Sequence, residues 1–236
     1  MITLLLIPGL VSDQRVWRSV AVAAPDGFAP RDADVTRDVS IPRMAERLLG
    51  EVDGPLIVVG HSMGGRVAME MAHQAPERVR GLVLANTGHG PKKPGEEPKR
   101  QAKVDLGHED MSRLAAEWLP PMLDPARVGD TDLVADLTEM VLAAGPDVHE
   151  RQIRALVDRP DASSYLPSIA CPVLLLTGAQ DGWSPEQQHR EIAELLADAE
   201  LQVIDGAGHF LPVERPQETA AAITDWLVRN KDRFDA

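Results

Sequence analysis

Cysteine is almost absent from this chain of 236 residues, in which Cys171 is the single one. One thiol cannot form a disulfide within the chain, and we therefore expect a protein of the reducing cytoplasm. Basic residues are also in the minority, with 24 Lys and Arg against 37 Asp and Glu and a net charge of −13. This excess of negative charge argues against partners such as nucleic acids and anionic membrane surfaces.

Long hydrophobic runs are missing as well. No stretch approaches the roughly 18 consecutive apolar residues that are needed to cross a bilayer. The opening run, Ile2 to Ile7, has no basic leader and stops at Pro8 and Gly9. We interpret it as a first strand and not as a signal peptide. The histidines, acidic residues and cysteine show no spacing typical of metal ligands, so no metal site is expected.

Short apolar runs alternate with helical patterns along the chain. Strands are predicted at 2–7, 33–35, 56–59, 82–85, 173–177 and 201–204. Helices are predicted near 13–20, 42–51, 63–75, 185–197 and 215–230. Strands that are apolar throughout and alternate with helices are typical of a parallel sheet covered on both faces. The pattern predicts an α/β domain.

The interval between Asn86 and Cys171 is too long for one strand-helix-strand unit, because such a unit needs only about 30 residues. Apolar residues recur there at helical spacing, and helices are predicted near 109–118, 131–144 and 147–158. We expect a core of 1–86 and 171–236 and a helical cap, or lid, of 87–170. Its basic stretch 92–103 is interpreted as a solvated segment, in preference to a site for anionic substrates.

The stretch LIVVGHSMGGRVAMEMA, residues 56–72, places Ser62 between glycines where an apolar strand turns into a helix. The motif G-x-S-x-G arises by chance on the order of 0.1 times in a chain of this length. A strand-turn-helix setting is what a nucleophile elbow requires, so Ser62 is predicted to be a nucleophile and not a structural turn serine.

A serine nucleophile needs a base and a carboxylate that orients the base. Asp181 follows the strand at 173–177, and His209 follows the strand at 201–204. The carboxyl ends of parallel strands share one edge of the sheet, so both side chains are expected beside Ser62. Asp205 is the alternative acid, but it lies in the histidine's own loop and is expected to form a local turn. The position near Asn86, after the strand at 82–85, is another place for the acid, but an asparagine cannot ionise and so cannot take this role.

With these motifs in place, the chain resembles the α/β-hydrolase fold superfamily, of the cap-bearing serine hydrolase or esterase type. The resemblance runs through LLIPGL, VVGHSMGG, LVLANT, CPVLLLTGAQD and GAGHFLPVERP, and so covers nearly the whole chain. The two strands that usually precede LLLIPG are absent, which implies a predominantly parallel, doubly wound sheet of six strands instead of eight. Pro8 stands where the family often has a histidine. The resemblance implies that the backbone N–H groups of Leu10 and Met63 are the oxyanion donors.

The predicted function is hydrolysis of an ester-like carbonyl through an acyl-enzyme on Ser62, without a cofactor, on a small-molecule substrate with an apolar acyl group. Alternatives on the same triad are a thioesterase, an enol-lactone hydrolase, a carbon–carbon bond hydrolase and a cofactor-free haloperoxidase. A non-catalytic binding protein on a hydrolase fold is the alternative from another class. The residues expected in the pocket wall are Trp118, Met122, Met140, Trp183 and Phe210.

Overall fold

The computed structural model describes residues 1–234 and contains one six-stranded sheet with the strand order β2-β1-β3-β4-β5-β6. Every pair of neighbouring strands in it is parallel, which confirms the predicted fold class. The last two residues of the expected core segment 171–236 lie outside the described residues. The strands are β1 Ile2–Ile7, β2 Phe28–Asp32, β3 Leu56–His61, β4 Val79–Ala85, β5 Val173–Gly178 and β6 Ala199–Ile204.

The predicted strand at 33–35 was wrong, because the chain pairs with β1 one segment earlier, over Phe28–Asp32. This strand lies at the edge of the sheet, and Phe28 is the buried residue among its five. An edge strand needs no continuous apolar run, so its main-chain pairing leaves little trace in hydropathy. The other five predicted strands are present, within a few residues at their ends.

Ten α-helices lie within residues 1–234. They are α1 Arg18–Val22, α2 Ile41–Glu51, α3 Met63–Gln74, α4 Glu96–Glu109, α5 Met111–Trp118, α6 Thr131–Val157, α7 Glu186–Leu195, α8 Leu211–Glu214, α9 Pro216–Arg229 and α10 Lys231–Phe234. Short 3₁₀ turns occupy Gln14–Trp17, Pro120–Met122, Ala162–Ser164 and Leu166–Ser168. None of the described helices is both long and apolar enough to cross a membrane.

Helices cover both faces of the sheet, as alternation along β3 and β4 shows. Gly81 of β4 faces Ile57 of β3 and the aromatic rings of Trp226 and Phe234, from α9 and α10. Gly60 is three residues beyond Ile57 and points to the opposite face, against the first turn of α3. The whole of β3 is buried, as expected for a strand between two helical layers.

The segment between β4 and β5 carries α4, α5 and α6, which pack against one another. Helix α6 is broken at Gly145, which has a φ of +75° and precedes Pro146, so the two predicted helices at 131–144 and 147–158 meet at this kink. Helix α4 was not predicted. Its buried residues are Val104 and Gly107, too few for an apolar period, and ion pairs and helix packing support it instead.

The close contact between β3 and α3 generates a stability prediction. A Cβ atom at Gly60 would overlap the backbone of Gly64 and Gly65, whereas one at Gly50 in α2 would meet no atom. Gly60→Ala should therefore lower the free energy of unfolding by about 1–3 kcal/mol. Gly50→Ala, the matched control, should leave it unchanged or raise it by up to about 1 kcal/mol. Urea unfolding measures both, and equal effects would contradict this packing.

Candidate active site

The order of the strands in the sheet creates a crevice at the carboxyl ends of β1 and β3. From β1 the chain crosses to β2 on one side, and it later returns to β3 on the other side. The loops after β1 and β3 therefore leave in opposite directions, which is where open α/β sheets bind ligands. Leu10 follows β1, Ser62 follows β3, and both line a cavity of about 700 Å³.

Ser62 occupies a sharp turn with a φ of +54° and a ψ of −113°. Few non-glycine residues adopt a positive φ, and the strain is typically 1–3 kcal/mol in order of magnitude. Two hydrogen bonds hold the turn: Ser62 N donates to Ala85 O at 2.9 Å, and Thr87 Oγ1 donates to Ser62 O at 2.7 Å. The glycines at 60 and 64 allow the helix to begin directly against the sheet.

The structure brings Ser62, His209 and Asp181 together in one line of hydrogen bonds. Ser62 Oγ lies 2.9 Å from His209 Nε2. His209 Nδ1 lies 3.0 Å from Asp181 Oδ2 and 3.2 Å from Oδ1. With Nδ1–H donating to the carboxylate, Nε2 is left as an acceptor for the serine hydroxyl. This is the geometry that a base needs in order to take the serine proton.

Asp181 is buried and its carboxylate is fully used. Oδ1 accepts from the backbone N–H groups of Trp183 at 2.8 Å and Ser184 at 2.9 Å, and Oδ2 accepts from Asn86 Nδ2 at 2.9 Å. Burial acts to raise the pKa of Asp181, but the neighbouring His209 and these donors outweigh it and hold the pKa well below its usual range. The group is therefore an anion at neutral pH.

Asn86 is a residue whose part in the site the sequence reasoning missed. It was set aside because it cannot ionise, yet its amide donates both to Asp181 and, at 3.1 Å, to Gly208 O. It adopts a φ of +50°, and asparagine is among the side chains that tolerate this conformation best. An asparagine at the end of a strand beside the site was the available signal.

His61 is buried beneath the site and does not border the cavity. Its Nε2–H donates to His209 O at 2.8 Å. Burial lowers the pKa of His61 to about 3, and the nearby His209 adds to the effect, so the ring is neutral. His61 thus fixes the main chain that carries the catalytic candidate His209.

Asp205, the alternative acid, points away from the histidine. It is exposed and accepts a hydrogen bond from Gln180 Nε2 at 2.9 Å. Gln180 Oε1 in turn accepts from the backbone N–H groups of Gly206 and Ala207, at 2.9 and 3.1 Å. The two residues shape the loop that leads to His209, without contact between Asp205 and the imidazole.

Leu10 and Met63, whose backbone N–H groups are the expected oxyanion donors, line the cavity together with Ser62. Neither donates a hydrogen bond to another group within residues 1–234. The next amide, Val11 N, donates to Gln152 Oε1 of α6 at 2.7 Å, and Gln152 Nε2 donates to Val35 O at 3.1 Å. Gln152 thereby holds the loop after β1 at Val11, whose φ of +44° is unusual for a β-branched residue. No feature of the sequence marks Gln152 as a supporting residue, since a glutamine in a helix is ordinary.

Of the five residues expected in the pocket wall, Trp118, Met122 and Trp183 line the cavity. Met140 and Phe210 are each only 1% exposed and lie outside that lining. The Phe210 ring packs edge-on against Trp118 and His209. It therefore contacts two residues of the cavity lining without lining the cavity itself. Within residues 1–234, no group of three or more His, Cys, Asp or Glu side chains is arranged to hold a metal ion.

A serine in a strand-to-helix elbow, followed by a carboxylate and a histidine at the ends of later parallel strands, is the arrangement of an α/β-hydrolase site. The model of the alpha/beta hydrolase family matches residues 4–222, and the chain belongs to this family.

Individual relatives and solved structures agree with this family. Lipase LipV of Mycobacterium tuberculosis is 30% identical, over 94% of this chain and 92% of the lipase. The Mus musculus protein named sn-1-specific diacylglycerol lipase ABHD11 is 26% identical, over 91% of this chain and 73% of that protein. A thermophilic esterase from Thermogutta terrifontis, solved with malate bound, is similar in structure with a TM-score of 0.89 and 26% identity, covering 97% of this chain and 90% of that one.

The bridge made by Gln152 yields a prediction about stability. Gln152 is fully buried, and Gln152→Leu would leave the Val11 N–H and the Val35 carbonyl without partners. The free energy of unfolding should fall by about 2 kcal/mol or more. Gln187, exposed on α7, is the control, and Gln187→Leu should change it by about 0.5 kcal/mol or less. Urea titration of both variants decides, and an unchanged Gln152→Leu midpoint would show that the bridge contributes nothing.

Proposed function

We propose that the chain is a serine hydrolase that cleaves carboxylic esters through an acyl-enzyme on Ser62. The observation that carries the proposal is the continuous hydrogen-bond line from Ser62 Oγ through His209 to a buried, ionised Asp181. The relatives named lipase and esterase support ester hydrolysis as the reaction class. A non-catalytic binding protein would have no need for this aligned set.

In the proposed first step, His209 Nε2 takes the hydroxyl proton of Ser62 while Oγ attacks the carbonyl carbon. The carbonyl oxygen becomes an oxyanion, which the N–H groups of Leu10 and Met63 stabilise. The tetrahedral intermediate collapses, the ester C–O bond breaks, and the protonated His209 gives its proton to the leaving alcohol. Asp181 keeps the imidazole in the required tautomer and stabilises its charged form.

In the second step, a water molecule attacks the acyl carbon with His209 again as the base. The bond to Ser62 Oγ breaks, the proton returns to the serine, and the carboxylic acid leaves. The chain's own residues supply every proton transfer in this sequence. We further propose that the 87–170 segment is the cap over this reaction, since Trp118, Met122 and Ile153 from it line the cavity together with Ser62. Excluding water there would strengthen the oxyanion hydrogen bonds.

The role of Ser62 is tested by covalent labelling and by substitution. A fluorophosphonate should modify Ser62 alone, as located by peptide mass spectrometry, because only this serine has a base within hydrogen-bond distance in the site. Ser62→Ala should abolish labelling and lower kcat for p-nitrophenyl butyrate on the order of 10⁴-fold or more. Its fold, checked by circular dichroism, should be unchanged. Labelling at a different serine, or full activity of the alanine variant, would refute the assignment.

The choice of acid is tested by two matched amides. Asp181→Asn should lower kcat by about 10⁴-fold, because an amide does not hold the imidazole in the productive tautomer. Asp205→Asn removes the same charge from an exposed position in the loop after β6. It should leave kcat within about twofold of the wild type, since substitutions at exposed positions that do not contact the site have small effects. Steady-state kinetics with p-nitrophenyl butyrate measure both variants. The opposite ranking would assign the role to Asp205.

A further inference from the structure

Positive charge is concentrated in the wall of the cavity, although the chain as a whole is strongly acidic, with a net charge of −13. Among residues 1–234, the basic side chains lining the cavity are Arg66, Lys93, Lys99, Arg100, Lys103 and Arg159. The acidic ones are Glu96 and Glu117. A cation excess inside a cleft of an anionic protein focuses the electrostatic potential on whatever enters that cleft.

Much of this charge comes from the stretch 92–103, which was expected to be a solvated segment. Most of its residues are exposed, as expected, and helix α4 with the loop before it also places Lys93, Lys99, Arg100 and Lys103 in the cavity lining. Lys103 is paired with Glu117 at 3.1 Å. The side chains of Lys93 and Lys99 have no carboxylate within salt-bridge distance in the described part of the chain.

Two arginines of the cavity wall, Arg100 and Arg159, share one glutamate as their ion-pair partner. Arg159 contacts both Glu96 oxygens, at 2.7 and 2.8 Å, and Arg100 contacts Oε1 at 2.6 Å. Burial acts to raise the pKa of Glu96, but these guanidinium groups hold it far below its usual range. Glu96 is thus paired with Arg100 and Arg159 and, in the described part of the chain, forms no ion pair with a third cation of the cavity.

Arg66 is that third cation. It lies in the first turn of α3, the helix that begins directly after Ser62, and both residues line the cavity. Arg66 is half-buried, and its one hydrogen bond within residues 1–234 is from Nη1 to Gly90 O, at 3.0 Å. No carboxylate of the described chain lies within salt-bridge distance of it, although Glu96 acts on it from farther away. The remaining N–H groups are free to bind an anion in the cavity.

The environment of Arg66 favours such a ligand. Burial, together with the nearby Arg159 and Arg100, lowers the pKa of Arg66 to about 9. The group stays charged at neutral pH, but in surroundings that destabilise an unpaired cation. A bound carboxylate or phosphate would offset that cost and could accept two parallel hydrogen bonds from the guanidinium.

We propose that the natural substrate carries an anionic group, a carboxylate or a phosphate, which Arg66 binds while the reacting carbonyl lies at Ser62, with Lys93 and Lys99 at the entrance guiding it in. The inference rests on the proposed function of Ser62 and narrows its substrate class. Apolar residues of the same cavity lining, such as Met63 and Leu156, suit a short hydrocarbon spacer. The expected apolar acyl group thereby becomes an apolar spacer with a charged end.

Two pairs of matched substrates test the proposal and separate the two anions. Monomethyl adipate and its carboxamide analogue differ only in the charge of the distal group, and methyl 6-(phosphonooxy)hexanoate and methyl 6-hydroxyhexanoate differ only in the phosphate. For each pair, the ratio of kcat/KM for the anionic to the neutral member is measured at low salt. At least one ratio should be about 10 or more, as expected for a charge-assisted hydrogen bond. The pair that shows it identifies the anion.

Substitutions of the basic residues of the cavity test which side chain is responsible for the preference for the anionic substrate. Arg66→Met should reduce the preferred pair's ratio to near 1, while Arg66→Lys, which keeps the charge but not the planar fork, should retain part of it. Lys92→Met is the control, because Lys92 belongs to the same basic stretch but pairs with Glu97 outside the cavity lining. Its ratio should equal that of the wild type. If Arg66→Met does not fold, the exposed double variant Lys93→Met/Lys99→Met replaces it and should lower the ratio severalfold.

The results that would contradict the anion site differ from those that would contradict the proposed hydrolase function. Ratios near 1 for both pairs in the wild type, or a ratio that Arg66→Met does not change, overturn the anion site, while hydrolysis of the neutral members leaves the proposed esterase intact. If the wild type hydrolyses none of the four compounds and not p-nitrophenyl butyrate either, the proposed function fails and the anion site fails with it.

Discussion

The buried carboxylate of Asp181 is the point on which the geometry of the site depends. It accepts hydrogen bonds from His209, from Asn86 at the end of β4, and from the backbone of Trp183 and Ser184 in its own loop. A buried anion is stable only when donors surround it, and removing any of them would leave it partly unsatisfied. The carboxylate therefore fixes the positions of three loops at the carboxyl edge of the sheet, and with them the direction of the imidazole.

The loop that carries His209 is also bound to the 87–170 segment through the backbone. His209 N donates to Met122 O at 2.6 Å. The buried Glu214 accepts from Gly208 N at 2.9 Å and from Asp124 N at 2.8 Å. Together with Gln152 at the loop after β1, these contacts join the segment to both sides of the site. The cavity is thus formed by two parts of the chain whose relative position is set by buried hydrogen bonds, and the positive charge of α4 becomes part of its wall.

Hydropathy was sufficient to predict the central elements, because β3 and β5 are buried along their whole length and the elbow motif lies between β3 and α3. It failed for β2, whose position depends on main-chain pairing at a sheet edge, and for α4, which is held by ion pairs of Glu96 with Arg100 in the same helix and with the sequence-distant Arg159. The triad candidates were predictable, since their order and their places after strands follow from the topology of a parallel sheet.

The supporting residues Asn86, Gln152 and Arg66 were not predictable in the same way. Asn86 and Gln152 form hydrogen bonds with groups distant in sequence, and Arg66 lines a cavity. Neither hydrophobic periodicity nor a local sequence motif predicts such contacts.

The central claim is that catalysis proceeds through an acyl group on Ser62. The most direct measurement is acid quenching of the enzyme during turnover of p-nitrophenyl butyrate, followed by mass spectrometry of the intact chain and its peptides. The account predicts one added butyryl group, located on Ser62 and formed in a burst with one equivalent of p-nitrophenol. Turnover without any acylated chain, or an acyl group on another residue, would contradict it.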